Sequence, residues 1–265
     1  MTAKPARKPL IIGNWKMHNN HFEAIALTQK LGWGLTDKDF VAADIVILPP
    51  FTALRSVQTL IDGDKLRLLH GAQDVSPHPD GPYTGDVSAR MLAKLGCRFV
   101  LAGHSERRQY HHEDDALVNA KVKALLDREM TPVMCVGEPL EVRQAGGHLE
   151  YTLSQLDGGL AGLSAEQVSK LVIAYEPVWA IGTGEVATPQ DAQECCAALR
   201  RRISAVHGDA VGHVARILYG GSVKPDNMPA IMAEPDVDGA LVGGASLDAG
   251  EFVGICRYRD QGTAT

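Results

Sequence analysis

The sequence comprises 265 residues, of which 45% are hydrophobic, and it carries a formal net charge of −6. This size allows one or two domains with a large core, and the negative charge argues against nucleic acid or an anionic membrane as the main partner, since both select a basic face. No apolar run approaches the ~18 residues of a membrane span, and no apolar segment follows the basic start MTAKPARKPL, so we expect neither a membrane anchor nor a signal peptide. The five cysteines show no metal-type spacing, which predicts reduced thiols, no metal and a cytoplasmic location.

Short apolar runs along the chain indicate eight β-strands. They lie at 10–14, 44–48, 66–72, 98–103, 131–137, 171–175, 216–220 and 238–243. The runs are apolar at nearly every position rather than at alternate positions, which is typical of strands that are buried on both faces.

Amphipathic stretches separate these runs. We predict helices at 23–32, 86–95, 115–128 and 189–206. The last has the clearest ends, because Thr188 can cap it, Pro189 suits its first position and Gly208 follows it. The Pro- and Gly-rich segment 74–85 predicts a long ordered loop.

The alternation of strands and helices predicts βαβ units and therefore an α/β fold with a parallel sheet. Eight such units in about 250 residues match a closed (β/α)₈ barrel, and an open doubly wound sheet is the structural alternative. We expect one barrel domain over residues 1–265, with short tails at 1–8 and 257–265.

Polar residues stand at the carboxyl end of most predicted strands. A closed barrel brings these ends together at one rim, which is where barrel active sites form. The residues, in chain order, are Asn14, Lys16, Gln73, Asp74, His104, Glu106, Glu138, Glu176 and Ser222, with Gly243 and Gly244 after the last strand.

Glu176 ends the apolar run LVIAY and is followed by Pro177 and Trp179. It is either a surface carboxylate that begins a loop or a carboxylate that these neighbours shield from water. Desolvation raises the pKa of a carboxyl group and makes it a more capable base, so the second interpretation predicts a proton-abstracting role.

His104 precedes Ser105, which can cap a predicted helix beginning ERR. The positive potential of a helix N-terminus favours the uncharged imidazole, which can then donate a hydrogen bond or a proton. Lys16 follows the first strand and either extends into solvent or offers a fixed cation to an oxyanion or a phosphate, and Asn14 points to the same face.

Glycine-bearing turns lie at 180–184, 219–223 and 241–247. In barrels, the loops after the seventh and eighth strands often bind phosphate through backbone amides, which predicts that role for Ser222, Gly243 and Gly244. The dinucleotide-like pattern at 182–187 does not directly follow a strand, so we do not interpret it as a cofactor site. The segment YHHEDD at 110–115 is interpreted as a solvated helix start rather than a metal site.

Five motifs together resemble the triosephosphate isomerase family. They are GNWKM (13–17), GHSERR (103–108), AYEPVWAIGTG (174–184), YGGSV (219–223) and GALVGGASL (239–247), and the resemblance extends from about Pro9 to Cys256. It implies a TIM barrel that interconverts dihydroxyacetone phosphate and D-glyceraldehyde 3-phosphate in glycolysis and gluconeogenesis, with no cofactor.

The resemblance also implies roles for individual residues. Glu176 is implied as the base, His104 as the neutral electrophile, and Lys16 and Asn14 as stabilisers of an enediolate-like transition state. The phosphate is implied to bind the amides of Gly182, Ser222, Gly243 and Gly244, with Glu106 and Cys135 in support. Residues 177–187 would form a lid that closes over the substrate.

The family pattern further implies a homodimer in which the loop at 74–86 enters the partner subunit. The chain departs from the common pattern at Asp74, Asp86 and Glu185, and the resemblance implies that Asp86 pairs with Arg107 across the interface. Two alternatives remain open at this point: a related barrel isomerase of a longer ketose phosphate, and a non-catalytic protein that binds phosphorylated metabolites.

Overall fold

The computed structural model describes residues 7–181 and 187–261. Eight parallel strands close a barrel in chain order, and β1 pairs with both β2 and β8. The predicted (β/α)₈ TIM barrel is therefore confirmed, and the open sheet is excluded. The strands are β1 (Leu10–Asn14), β2 (Asp44–Leu48), β3 (Leu69–Ala72), β4 (Phe99–Ala102), β5 (Thr131–Val136), β6 (Val172–Tyr175), β7 (Arg216–Tyr219) and β8 (Gly239–Val242).

The helices of the described residues surround this barrel. Three short 3₁₀ segments accompany them, at Val178–Ala180, Gly244–Leu247 and Tyr258–Asp260. The α-helices are α1 (His21–Gly34), α2 (Asp37–Ala42), α3 (Phe51–Gly63), α4 (Ala89–Lys94), α5 (Ser105–His111), α6 (Asp115–Leu126), α7 (Leu140–Gln144), α8 (His148–Gly159), α9 (Ala165–Val168), α10 (Pro189–His207), α11 (Asp209–Val214), α12 (Met228–Ala233) and α13 (Ala249–Cys256).

Local capping chemistry explains where the predicted helix ends succeed and fail. Helix α10 begins as predicted, because Thr188 accepts the amide of Asp191 and that carboxylate binds Thr188 in return. The helix predicted at 86–95 begins only at Ala89. Asp86 instead accepts a hydrogen bond from the hydroxyl of Ser76, and Ser88 caps the helix.

Alternate strand residues fill the barrel interior and the other residues face the helices. The interior cluster includes Leu10, Ile12, Val46 and Leu48, whereas Ile11, Ile45 and Ile47 belong to the layer between sheet and helices. Strands that bury both faces in this way account for the nearly continuous apolar runs in the sequence. In the described part of the chain, every helix is too short or too polar to cross a bilayer.

Candidate active site

A cavity of about 360 Å³ opens at the carboxyl ends of the strands. The strand ends bring the predicted polar residues to it from several sides of the barrel. Gly182 lies outside the described residues. The predicted site residues that line the cavity are Asn14, Lys16, His104, Glu176, Ser222, Gly243 and Gly244.

Glu176 follows β6 and is only 2% exposed. Two glycines make room for it. A β-carbon on Gly137 would lie 1.7 Å from the carbonyl oxygen of Glu176, and one on Gly220 would lie 2.9 Å from its Cγ. The interpretation of Glu176 as a surface carboxylate is therefore wrong, because the neighbouring strand ends enclose it.

The carboxylate of Glu176 has contacts that differ between its two oxygens. Oε2 accepts the backbone N–H of Ser105 at 2.8 Å. Oε1 lies 3.0 Å from Nε2 of His104, yet no donor among the described residues is aligned with it for a hydrogen bond. One oxygen is thus tethered at the start of α5 and the other faces the cavity without a well-directed partner.

The expectation that burial gives Glu176 a raised pKa is wrong. Burial does raise the pKa, but His104 and the amide of Ser105 lower it by more, so the net pKa lies below its ordinary value. The carboxylate is therefore stabilised as an anion in this conformation, and it becomes a stronger base only when it leaves these contacts.

His104, rather than Ser105, caps helix α5. Its Nδ1 accepts the backbone N–H of Glu106 at 3.3 Å. A nitrogen that accepts an N–H is unprotonated, so this bond favours the neutral ring. Burial also lowers the pKa of His104, but the adjacent Glu176 carboxylate outweighs it and the net pKa is raised. The bond from the amide of Glu106 thus favours the neutral ring, whereas the carboxylate of Glu176 favours the protonated ring.

Lys16 adopts a left-handed backbone conformation with φ of 51°, which is uncommon for a residue with a side chain. Two bonds hold it there. The side chain of Asn14 accepts the amide of Lys16 at 3.0 Å, and Gln73 donates to its carbonyl at 2.8 Å. The ammonium lies 2.6 Å from Oε1 of Glu106. The backbone of Lys16 is therefore held by Asn14 of β1 and by Gln73 directly after β3, and its ammonium is held by Glu106 of α5.

The loops after β7 and β8 also line the cavity. Ser246 donates to the carbonyl of Gly243 at 2.6 Å and approaches the carbonyl of Asn14 at 3.3 Å, which ties the β8 loop to β1. Gly243 and Gly244 thus stand on a braced loop, with Gly243 beside Lys16, and Ser222 lines the same cavity. An anionic group in this part of the cavity would meet backbone amides and the ammonium of Lys16.

Glu138 is a second buried glutamate at the neighbouring strand end, after β5, and it is 0% exposed. The hydroxyl of Tyr175 and the indole N–H of Trp179 donate to its Oε1 at 3.0 and 2.8 Å, and Thr152 donates to Oε2 at 3.4 Å. This carboxylate is satisfied by side-chain donors and is turned away from the cavity, towards the start of the predicted lid.

The two predicted supporting residues lie next to the cavity rather than in it. Glu106 pairs with Lys16 and is partly exposed. Cys135 is fully buried on β5, and burial together with the nearby Glu176 raises the pKa of its thiol well above the ordinary value. Such a thiol is chemically inert, so Cys135 contributes packing beside Glu176 rather than nucleophilic chemistry.

The segment predicted as a solvated helix start contains a buried charge. Glu113 is 4% exposed and contacts both Lys121 and Arg107, so the predicted solvation is wrong at this residue. Lys121 also lies 2.6 Å from Asp74, and Arg107 lies 3.0 Å from the same carboxylate. This cluster joins the base of the loop at 74–86 to helix α5.

Sequence reasoning missed several groups around the cavity. The amide of Ser105 donates to Glu176, whereas the sequence indicated only a helix cap by the side chain of Ser105. Ile181, Leu241 and Lys224 also line the cavity. The two apolar residues carry no signal that separates them from core residues, whereas Lys224 stands two positions after Ser222 and was detectable by that spacing.

Comparison with known proteins gives a family match over nearly the whole described chain. The family model described as "Triosephosphate isomerase" matches residues 9–259. A triosephosphate isomerase of Streptomyces avermitilis is 60% identical over 256 residues, covering 97% of this chain and 99% of that protein. Those of Nocardia farcinica and Mycobacterium avium are each 61% identical over 247 residues, covering 93% of this chain and 95% of theirs.

Proposed function

The chain belongs to the triosephosphate isomerase family, and from that premise we propose how its own residues interconvert dihydroxyacetone phosphate and D-glyceraldehyde 3-phosphate. The protein is an isomerase of triose phosphates. The observation that carries the assignment of roles is the convergence of Glu176, His104 and Lys16 on one cavity.

Glu176 is the proposed base, which removes a proton from C1 of dihydroxyacetone phosphate and returns it at C2. The bond to Ser105 and the contact with His104 both lower its pKa, so leaving them for the substrate raises its basicity while it stays buried. Substrate binding thereby converts a stabilised anion into an active base.

His104 and Lys16 are proposed to serve the oxygens of the resulting enediolate. Nδ1 of His104 accepts the amide of Glu106, so the neutral ring carries its proton on Nε2. This nitrogen lies 3.0 Å from Oε1 of Glu176. Lys16 supplies a positive charge where the negative charge develops, and Asn14 holds its backbone. Asn14 also lines the cavity, so it is placed to contact the substrate.

The phosphate is proposed to bind the rim formed by Ser222, Gly243 and Gly244, with Gly182 joining it when the lid closes. Lid closure would exclude water, strengthen the electrostatic interactions of Glu176 and suppress loss of phosphate from the enediolate.

A homodimer in the cytoplasm is the proposed form of the protein, with roles in glycolysis and gluconeogenesis. Next to Lys16 lies a second groove of about 530 Å³, lined in part by Met17, Phe51 and Tyr110. Met17 is 93% and Tyr110 67% exposed, and such apolar surface near the loop at 74–86 supports a subunit interface there. All five cysteines are free, which suits a reducing compartment.

Incubation of the pure protein with glyceraldehyde 3-phosphate in heavy water tests the chemistry. The proposal expects conversion to dihydroxyacetone phosphate with deuterium at C1, without added cofactor, and loss of both signals in Glu176→Gln. Conversion of longer ketose phosphates at a comparable rate would favour the first alternative. Binding of triose phosphate without isotope exchange would favour the second.

A further inference from the structure

A second cluster of chemically active side chains lies outside the cavity, between helices α8 and α10. His148, Glu194 and Cys195 each present one donor atom, and these atoms lie within 4.8 Å of one another. Nε2 of His148 is 3.1 Å from Oε2 of Glu194. We propose that these three residues bind a divalent cation of borderline softness, such as Zn²⁺, at a site linked to the loop after β6.

The donor set suits such a cation. Imidazole nitrogen, thiolate sulfur and carboxylate oxygen are the usual ligands of zinc, with bonds of about 2.0–2.3 Å. Tetrahedral coordination at those lengths places ligand atoms roughly 3.5 Å apart, so the cluster needs only a modest contraction. A water molecule would complete the coordination.

The surroundings of the cluster carry an excess of negative charge. Arg143 is the cation in contact with it, and this guanidinium faces three carboxylates: Glu138 at 3.7 Å, Glu194 at 3.8 Å, and Asp191. A bound divalent cation would offset the remaining negative charge. Arg143 contacts the carboxylate of Glu194, and the donor atoms of His148 and Cys195 remain available to a metal ion.

One donor of the cluster has unused bonding capacity. Nδ1 of His148 is buried and has no hydrogen-bond partner within residues 7–181 and 187–261, and the side chain as a whole is 16% exposed. A buried imidazole nitrogen without a partner is unfavourable, because it has lost water and gained nothing in return. Nδ1 can therefore ligate a metal ion, in which case the contact between Nε2 and Glu194 is replaced by a bond from that carboxylate to the ion.

The cluster is connected to Trp179 in the loop after β6. Cys195 lies within hydrogen-bonding reach of the hydroxyl of Tyr175, which donates to Glu138. Glu138 in turn accepts the indole N–H of Trp179, next to residues 182–186. Binding converts the thiol to a metal-bound thiolate and releases its proton to solvent, with no change in oxidation state. The new charge beside Tyr175 disturbs these bonds and lowers turnover.

Titration of the chelator-treated protein with Co²⁺ tests the site. We expect a sulfur-to-cobalt charge-transfer absorption that saturates at one equivalent and disappears in Cys195→Ala. The matched control is Cys196→Ala, since Cys196 is the adjacent, equally buried cysteine and lies outside the cluster. Glu194→Gln, at a half-exposed position, should weaken Co²⁺ affinity by at least about tenfold even if Cys195→Ala folds poorly.

Absence of the absorption in the wild type, or its persistence in Cys195→Ala, would overturn the site. Zn²⁺ should also lower turnover in the wild type and in Cys196→Ala but not in Cys195→Ala. Saturating metal that leaves turnover unchanged would overturn the connection to the loop after β6. Because Co²⁺ absorption is read without substrate, failure of this site is distinguishable from failure of the proposed isomerase mechanism.

Discussion

Glu138 and Glu176 are two buried carboxylates at the ends of neighbouring strands, and they differ in what surrounds them. Glu138 accepts hydrogen bonds from the side chains of Tyr175, Trp179 and Thr152, so its carboxylate is held in a fixed position. Glu176 accepts one backbone N–H and turns its other oxygen towards a cavity. Burial is common to both, and the incomplete hydrogen bonding of Glu176 is what leaves it free to take a proton.

The largest expected effect is the loss of catalysis when the cavity-facing carboxylate is neutralised. Glu176→Gln should lower kcat by about 10²–10⁴-fold, the range typical of a lost general base. Glu138→Gln, which keeps an acceptor oxygen for Tyr175 and Trp179, should lower it far less. Steady-state kinetics of both variants measure the difference, and equal losses would break the comparison.

The cation on the catalytic side should matter nearly as much. Lys16→Ala removes the positive charge from the developing enediolate and should lower kcat/KM by about 10²–10³-fold, as for one lost oxyanion donor. Arg143→Ala removes the cation near Glu138 and should cost much less. A near-wild-type rate constant for Lys16→Ala would remove Lys16 from the mechanism.

Stability should show the opposite ranking. Glu138→Leu leaves the donors of Tyr175, Trp179 and Thr152 without their acceptor and should lower the free energy of unfolding by about 1–3 kcal/mol for each donor that stays unsatisfied. Glu176→Leu removes the acceptor of one backbone amide and the contact with His104, which are fewer partners than Glu138 has, so it should be the milder change. Urea unfolding of both variants in the same buffer compares them, and a larger loss for Glu176→Leu would contradict the distinction.

The smallest effect is a change in the pKa of His104. The Glu176 carboxylate raises this pKa, so Glu176→Gln should lower it and let the ring lose its proton at a lower pH than in the wild type. Glu138→Gln should leave it unchanged. Titration of the histidine resonances by NMR detects the shift, and an unaltered His104 in Glu176→Gln would mean that the two groups are not electrostatically linked.

The sequence alone predicted the barrel because strand burial and helix capping are local signals. The runs at 10–14 and 44–48 match β1 and β2, and Thr188 caps α10. The run that begins at 66 forms a strand only from Leu69, because pairing with Val46 starts at that residue. Apolar patterning marks which residues are buried, whereas the extent of a strand depends on its neighbour.

The candidate site was foreseeable as a set of residues, since closure of the barrel requires the strand ends to meet at one rim. What only the tertiary structure decided is the chemical state of those residues. The lowered pKa of Glu176 depends on the amide of Ser105 and on His104, which are distant in the chain and unpredictable in orientation. The cluster of His148, Glu194 and Cys195 has no spacing that a sequence pattern detects, because helices α8 and α10 bring it together only by packing. Electrostatic and ligand interactions act over a few ångströms in space, so they follow from contacts that chain order does not contain.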